Sequence, residues 1–143
     1  MARVGSMSEQ QKRVYAAESI LGGGTRFQDY AEAQAYADSI TSSDWWATAY
    51  PNIVRLEVFK LDATSTSCAR QAEERGAGEI HLAPTMLNVT TLLHEAAHCA
   101  APKGVGHEAA WARTFMTIVY RALGTDEYMR LYTAYKNNNV DIG

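Results

Sequence analysis

The sequence predicts an α+β fold: a small, mostly antiparallel sheet packed on one helix, Asn88 to Ala101, with further helices around it. Three observations carry this. Several segments repeat apolar residues at three-to-four spacing, the period of a helix with one buried face. Two short runs, Val54 to Val58 and Glu79 to Ala83, read instead as strands. A chain of 143 residues, 47% of them hydrophobic, is also the size of one ordinary domain able to bury a core.

In chain order, residues 1–10 are polar and rich in small side chains, a flexible lead into a single domain over residues 11–143. Gln11 to Leu21 forms a first helix, ended by Gly22-Gly23-Gly24. No Lys-Ser/Thr follows these glycines, so they read as a helix stop and turn and not as a phosphate loop. Thr25 to Phe27 is a short strand candidate. Asp29 to Ile40 reads as an amphipathic helix with Tyr30, Ala33, Ala37 and Ile40 on one side. Trp45 and Trp46 are adjacent and face different ways, so one belongs to the core and the other to the surface. Val54-Arg55-Leu56-Glu57-Val58 alternates apolar and polar, as a half-buried strand does. Thr64 to Thr66 is a turn. Cys68 to Glu74 fits a strand or a helix, and the strand is favoured because Glu79 to Ala83 pairs with it across Arg75-Gly76-Ala77-Gly78. Pro102 to Gly106 is a loop. Beyond it Trp111, Phe115, Ile118 and Ala122 recur at helical spacing. Gly124 ends that helix, and Thr125 caps a last one reaching Lys136. Its stripe of Tyr128, Leu131, Tyr132 and Tyr135 is core by default, although a tyrosine could also stabilise an oxyanion.

Composition excludes several classes. Net charge is −3 with no long basic run, so clustered phosphate contacts, and with them a nucleic-acid partner, are not expected. Two cysteines make no disulfide framework. No signal-peptide core or membrane-length apolar run is present, so the expectation is a cytoplasmic protein with no membrane partner.

The chemistry lies in His94-Glu95-Ala96-Ala97-His98, followed by His107. Three of the four histidines fall within fourteen positions. Imidazoles four apart on a helix share a face and can hold one metal ion, and the adjacent glutamate can reach a water beside it. This H-E-x-x-H arrangement is that of zinc hydrolases, in which Zn²⁺ lowers the pKa of water and glutamate takes its proton. Asn88 is a suitable N-cap for the motif helix. On a helical wheel Val89, Leu92, Leu93, Ala96 and Ala100 form the apolar side, flanked by Ala97 and Cys99. His94 and His98 fall opposite, facing a cleft. Cys99 reads as a small buried residue. The expected metal ligands are His94, His98 and His107, with Glu95 as catalytic base and Zn²⁺ as cofactor. Glu108 is the main rival of His107, and His81 a lesser one. The spacing of the metzincins does not fit, since Ala101 and Gly104 occupy their glycine and third-histidine positions.

With these segments in view, the chain resembles a family of short metallohydrolase-type proteins of actinobacteria and their phages, related in motif style to SprT-like zinc peptidases. The resemblance rests on Arg13-Val14-Tyr15-Ala16-Ala17-Glu18, on His94 to His98, and on Gly106-His107-Glu108-Ala109-Ala110-Trp111. Glu108 stands where a glycine usually follows the third histidine, and Trp111 replaces a phenylalanine. The resemblance implies zinc bound by His94, His98 and His107, with Glu95 as general base.

The expectation is therefore a zincin-like metallohydrolase, foremost a metallopeptidase with a peptide or protein substrate. Glu79 to Ala83 would be the edge strand on which an extended peptide adds, with His81 near the cleft. Two alternatives stay open. One is hydrolysis of a non-peptide amide or ester by the same zinc chemistry. The other is a catalytically idle zinc-containing binding protein.

Overall fold

The computed structural model describes residues 8–21, 24–62, 68–71, 76–101 and 108–143, with the backbone alone for Ile20 and residues 68–71. The architecture is α+β. The chain divides into two compact units, Met1–Gly22 with Pro102–Gly143, and Gly23–Ala101. Among the described residues no helix is long and apolar enough to cross a membrane.

The first unit is helical. Helix α1 (Glu9–Glu18) starts two residues earlier than the apolar pattern suggests, because Ser8 and Gln11 close a capping box on its first turn. A 3₁₀ turn, Ser19–Leu21, follows. This unit also holds α5 (Ala109–Leu123) and α6 (Thr125–Asn137). Helix α5 buries Trp111, Phe115 and Ile118 as its period requires, while Ala122 is only half-buried. The N-cap position of α6 is Gly124, not Thr125, which is the first helical residue. Gly124 has φ 96°, a left-handed conformation that glycine adopts without a Cβ penalty. Of the tyrosine stripe on α6, Tyr135 is fully buried and Tyr128 and Tyr132 half-buried. The Tyr135 hydroxyl donates to Glu18 Oε2 at 3.1 Å, joining residues 117 positions apart. Burial, reinforced by the Glu18 charge, pushes the Tyr135 phenol well above its ordinary range, so it stays a hydrogen-bond donor in the core.

The second unit carries the sheet and the motif helix. Helix α2 (Tyr30–Thr41) is capped by Asp29, whose side chain accepts from the Glu32 N–H, and it buries Ala33, Ala37 and Ile40. In the short helix α3 (Asp44–Ala49), Trp46 is the core member of the tryptophan pair and Trp45 is half-buried. Strands β1 (Arg55–Lys60), β2 (Cys68–Gln71) and β3 (Ala77–Leu82) form one sheet in the order β1-β3-β2. Thr25 to Phe27 is not a strand but makes an isolated bridge, Arg26↔Asn88, at the start of the motif helix. The Val89 N–H donates to Thr25 C=O and the Phe27 N–H to Leu87 C=O, both at 2.9 Å.

The sheet departs from the expected antiparallel one. β2 and β3 form the expected antiparallel pair, from Cys68↔His81 to Gln71↔Gly78. The longer pairing is parallel, β1 with β3, from Arg55↔Ala77 to Lys60↔Leu82. β3 is therefore the central strand and not an edge. Alternation along a strand reports which face is buried, not which neighbour it will take. Burial of Ala77, Gly78, Ile80 and Leu82 suits a central position. The outer edge of β1 is covered from α2: Gln34 donates to Leu56 C=O and accepts from the Val58 N–H, both at 2.8 Å. One side-chain amide thus satisfies two backbone groups that a further strand would otherwise pair.

Gly78, expected in a turn, lies inside β3. A Cβ there would sit 2.8 Å from Cys99 Sγ and 3.0 Å from Cys99 Cβ. The missing side chain is what lets the motif helix approach the sheet so closely. Gly78→Ala is expected to destabilise the protein by about 1–3 kcal/mol through overpacking, read as a lower denaturation midpoint. Adding Cys99→Ala should recover part of the loss, and an unchanged midpoint in Gly78→Ala would contradict the close approach.

Candidate metal centre

The motif helix is α4 (Val89–Ala100), preceded by a 3₁₀ turn, Pro84–Met86. Asn88 is its N-cap, as the sequence indicates, with Asn88 Oδ1 accepting from the Thr91 N–H at 2.8 Å. Val89, Leu92, Leu93, Ala96, Ala97 and Cys99 are buried. The four-residue spacing brings the two imidazoles together, with ring centroids 5.1 Å apart at 59°. Donor atoms of His94, Glu95 and His98 all lie within 4.8 Å of one another. Among the described residues this is the group of three His, Cys, Asp or Glu side chains compact enough to hold a metal ion.

The helical wheel places these groups on an open side, and here the structure differs. His94 is 4% exposed and Glu95 5%, while His98 is half-buried. A wheel separates apolar from polar residues but cannot show what covers the polar side. Burying a carboxylate is costly unless its charge is compensated. Two imidazoles and a carboxylate are also donor types that suit Zn²⁺ and several other divalent ions.

Cys99 lies one turn beyond Glu95. Burial foremost, then the Glu95 charge, pushes its thiol up to about 12, against a hydrogen bond toward Glu79 C=O that lowers it. It is a protonated packing residue, as its place on the wheel suggests, and not a thiolate ligand.

The remaining sequence candidates separate. His107 lies outside the described residues. Glu108 is exposed at the N-cap of α5. His81 is on β3, and alternation sets its face: Gly78 looks toward Cys99 of α4, so Ile80 and Leu82 share that side while Glu79 and His81 take the other. His81 is thus turned away from the motif helix and is not part of this group. Two contributors escaped sequence reasoning, Gly78 and Gln34. A glycine within a strand pattern signals close backbone approach, whereas nothing in the sequence signals the amide clamp of Gln34.

Fold and site together define an α+β protein with a histidine–glutamate–histidine group on one helix, His94 and Glu95 buried and His98 half-buried. No protein-family model, no curated protein and no solved structure matches this chain.

Proposed function

We propose that this chain is a zinc-dependent hydrolase of the zincin-like type, acting on peptide bonds, with its motif in the style of SprT-like peptidases. The observation that supports it best is the convergence of His94, Glu95 and His98 within 4.8 Å, with His94 and Glu95 withdrawn from water. His94 and His98 would hold the metal, with His107 as the proposed third ligand. Zinc bound there would supply Lewis-acid polarisation of a scissile carbonyl and lower the pKa of water.

Glu95 accepts the proton of the attacking water and passes it to the leaving amine. Its burial removes competing solvent, which strengthens every charge interaction in the site. Among the described residues β3 is central and Gln34 occupies the β1 edge, so an extended substrate would join the sheet along β2 by main-chain hydrogen bonds.

The test is metal content by elemental mass spectrometry. The wild-type protein is expected to carry near-stoichiometric zinc. His94→Ala and His98→Ala should each lose it, and His107→Ala should be sharply depleted. Full zinc in His94→Ala and His98→Ala, or no uptake by the wild type when zinc is offered, would overturn the site. Zinc kept only in His107→Ala would move the third ligand elsewhere. A panel of peptide, amide and ester substrates then separates a peptidase from a hydrolase of other amides or esters.

A further inference from the structure

Charge is divided unevenly along this chain. Residues 23–101, the unit that holds the motif helix, carry ten Asp and Glu against five Lys and Arg, a net charge of −5. The remaining residues carry six against eight, a net charge of +2. Four carboxylates of the acidic unit lie on two consecutive helices, Asp29, Glu32 and Asp38 on α2 and Asp44 on α3, and all four are exposed. Their hydrogen bonds come from neutral donors. Asp29 Oδ1 accepts from the Glu32 N–H at 2.8 Å, Glu32 Oε1 from the Gln28 N–H at 3.4 Å, and Asp38 Oδ1 from the Gln34 amide at 2.9 Å. Among the described residues none of the four pairs with a cation, whereas Glu57 on β1 meets Arg55 at 2.7 Å. Helix α2 packs on β1 and against the motif helix α4.

We propose that the substrate of the motif site is a cationic peptide, rich in Lys or Arg, drawn in by the negative field of residues 23–101. This rests on the hydrolase reading above and adds the chemical class of its substrate. Unpaired carboxylates keep their field, while paired ones largely cancel, and the field reaches about 8 Å at physiological ionic strength. Such a field raises the local concentration and association rate of an oppositely charged ligand and disfavours a like-charged one. Strand addition by main-chain hydrogen bonds is blind to sequence, so selection among peptides falls to side chains and to charge. The competing account is that these acids serve the helices and solubility alone. It covers Asp29 as N-cap and Glu32 in the first turn, where negative charge offsets the helix dipole. It does not cover Asp38, which stands in the last turn of α2, where negative charge opposes the dipole.

Fluorescence anisotropy with two labelled peptides of equal length, one rich in lysine and one in glutamate, decides between them. The protein is the full chain carrying Glu95→Gln, so that the probe is bound without being consumed. At low ionic strength the lysine peptide is expected to bind at least about tenfold more tightly, and near about 0.5 M salt the difference should shrink to about twofold. An Asp29→Asn/Glu32→Gln/Asp38→Asn/Asp44→Asn variant retains a capping side chain at the start of α2 and should lose most of the preference. Equal binding of the two peptides, a preference for glutamate, or a lysine preference that survives high salt overturns the proposal. A preference undiminished in the four-site variant does so as well. Should that variant misfold, the salt dependence of the Glu95→Gln chain decides alone. Cleavage of the same peptides by the wild type keeps the two readings apart. Lysine-selective binding with neither peptide cleaved would overturn the hydrolase reading and retain the charge selection. Equal cleavage of both would retain the hydrolase and overturn the cationic substrate.

Discussion

Glu95→Gln is expected to bind zinc as the wild type does and to hydrolyse a broad peptide substrate such as casein roughly 10²–10⁴-fold more slowly, the range that general acid–base catalysis contributes. The substitution keeps the shape of the side chain and its place on α4, so the histidine donors stay within reach of one another. It removes the one property the mechanism needs, a basic carboxylate able to accept a proton. Two measurements are therefore made on one variant: metal content, expected unchanged, and turnover, expected lost. Turnover within a few-fold of the wild type would remove Glu95 from the mechanism. Loss of metal instead would mean that Glu95 is itself a ligand, which its inclusion in the 4.8 Å group makes a sharp alternative.

Trp46→Ala is expected to destabilise the protein by about 3–5 kcal/mol, the usual cost of removing a buried aromatic side chain. Trp46 is 1% exposed, its ring edge meets Trp45 at 73° and 5.9 Å, and Tyr50 lies 4.7 Å away. Its indole N–H donates to Ile53 C=O at 2.7 Å, tying α3 to the chain just before β1. Truncation opens a cavity and strands that carbonyl. Trp45→Ala, at a half-buried position, should cost much less. Urea unfolding followed by far-ultraviolet circular dichroism checks the pair, and equal midpoints in the two variants would contradict the assignment of Trp46 to the core.

The contrast between the two tryptophans shows how far sequence reasoning reaches. Adjacency requires that one be more buried, but the choice of Trp46 depends on the phase of α3, a six-residue helix too short to reveal a period. Helices α2, α4 and α5 were legible because their lengths give the 3.6-residue repeat room to show. Asn88 and Asp29 announced two helix starts through the capping preference of short polar side chains. The β2–β3 hairpin was legible as well, since Gly76, with φ 84°, marks the turn between neighbouring strands. The parallel β1–β3 pairing was not, because it joins segments distant in sequence.

The candidate site divides along the same line. His94, Glu95 and His98 sit on one helix, so their convergence follows from the rise and turn of that helix and is written in five consecutive residues. Local hydrogen bonding alone sets this geometry. The depth of the site, the central place of β3, the turning of His81 away from α4 and the closing of the β1 edge by Gln34 are set by packing between segments. Such contacts depend on which surfaces meet in three dimensions, and a pattern read along one chain carries no record of its partners.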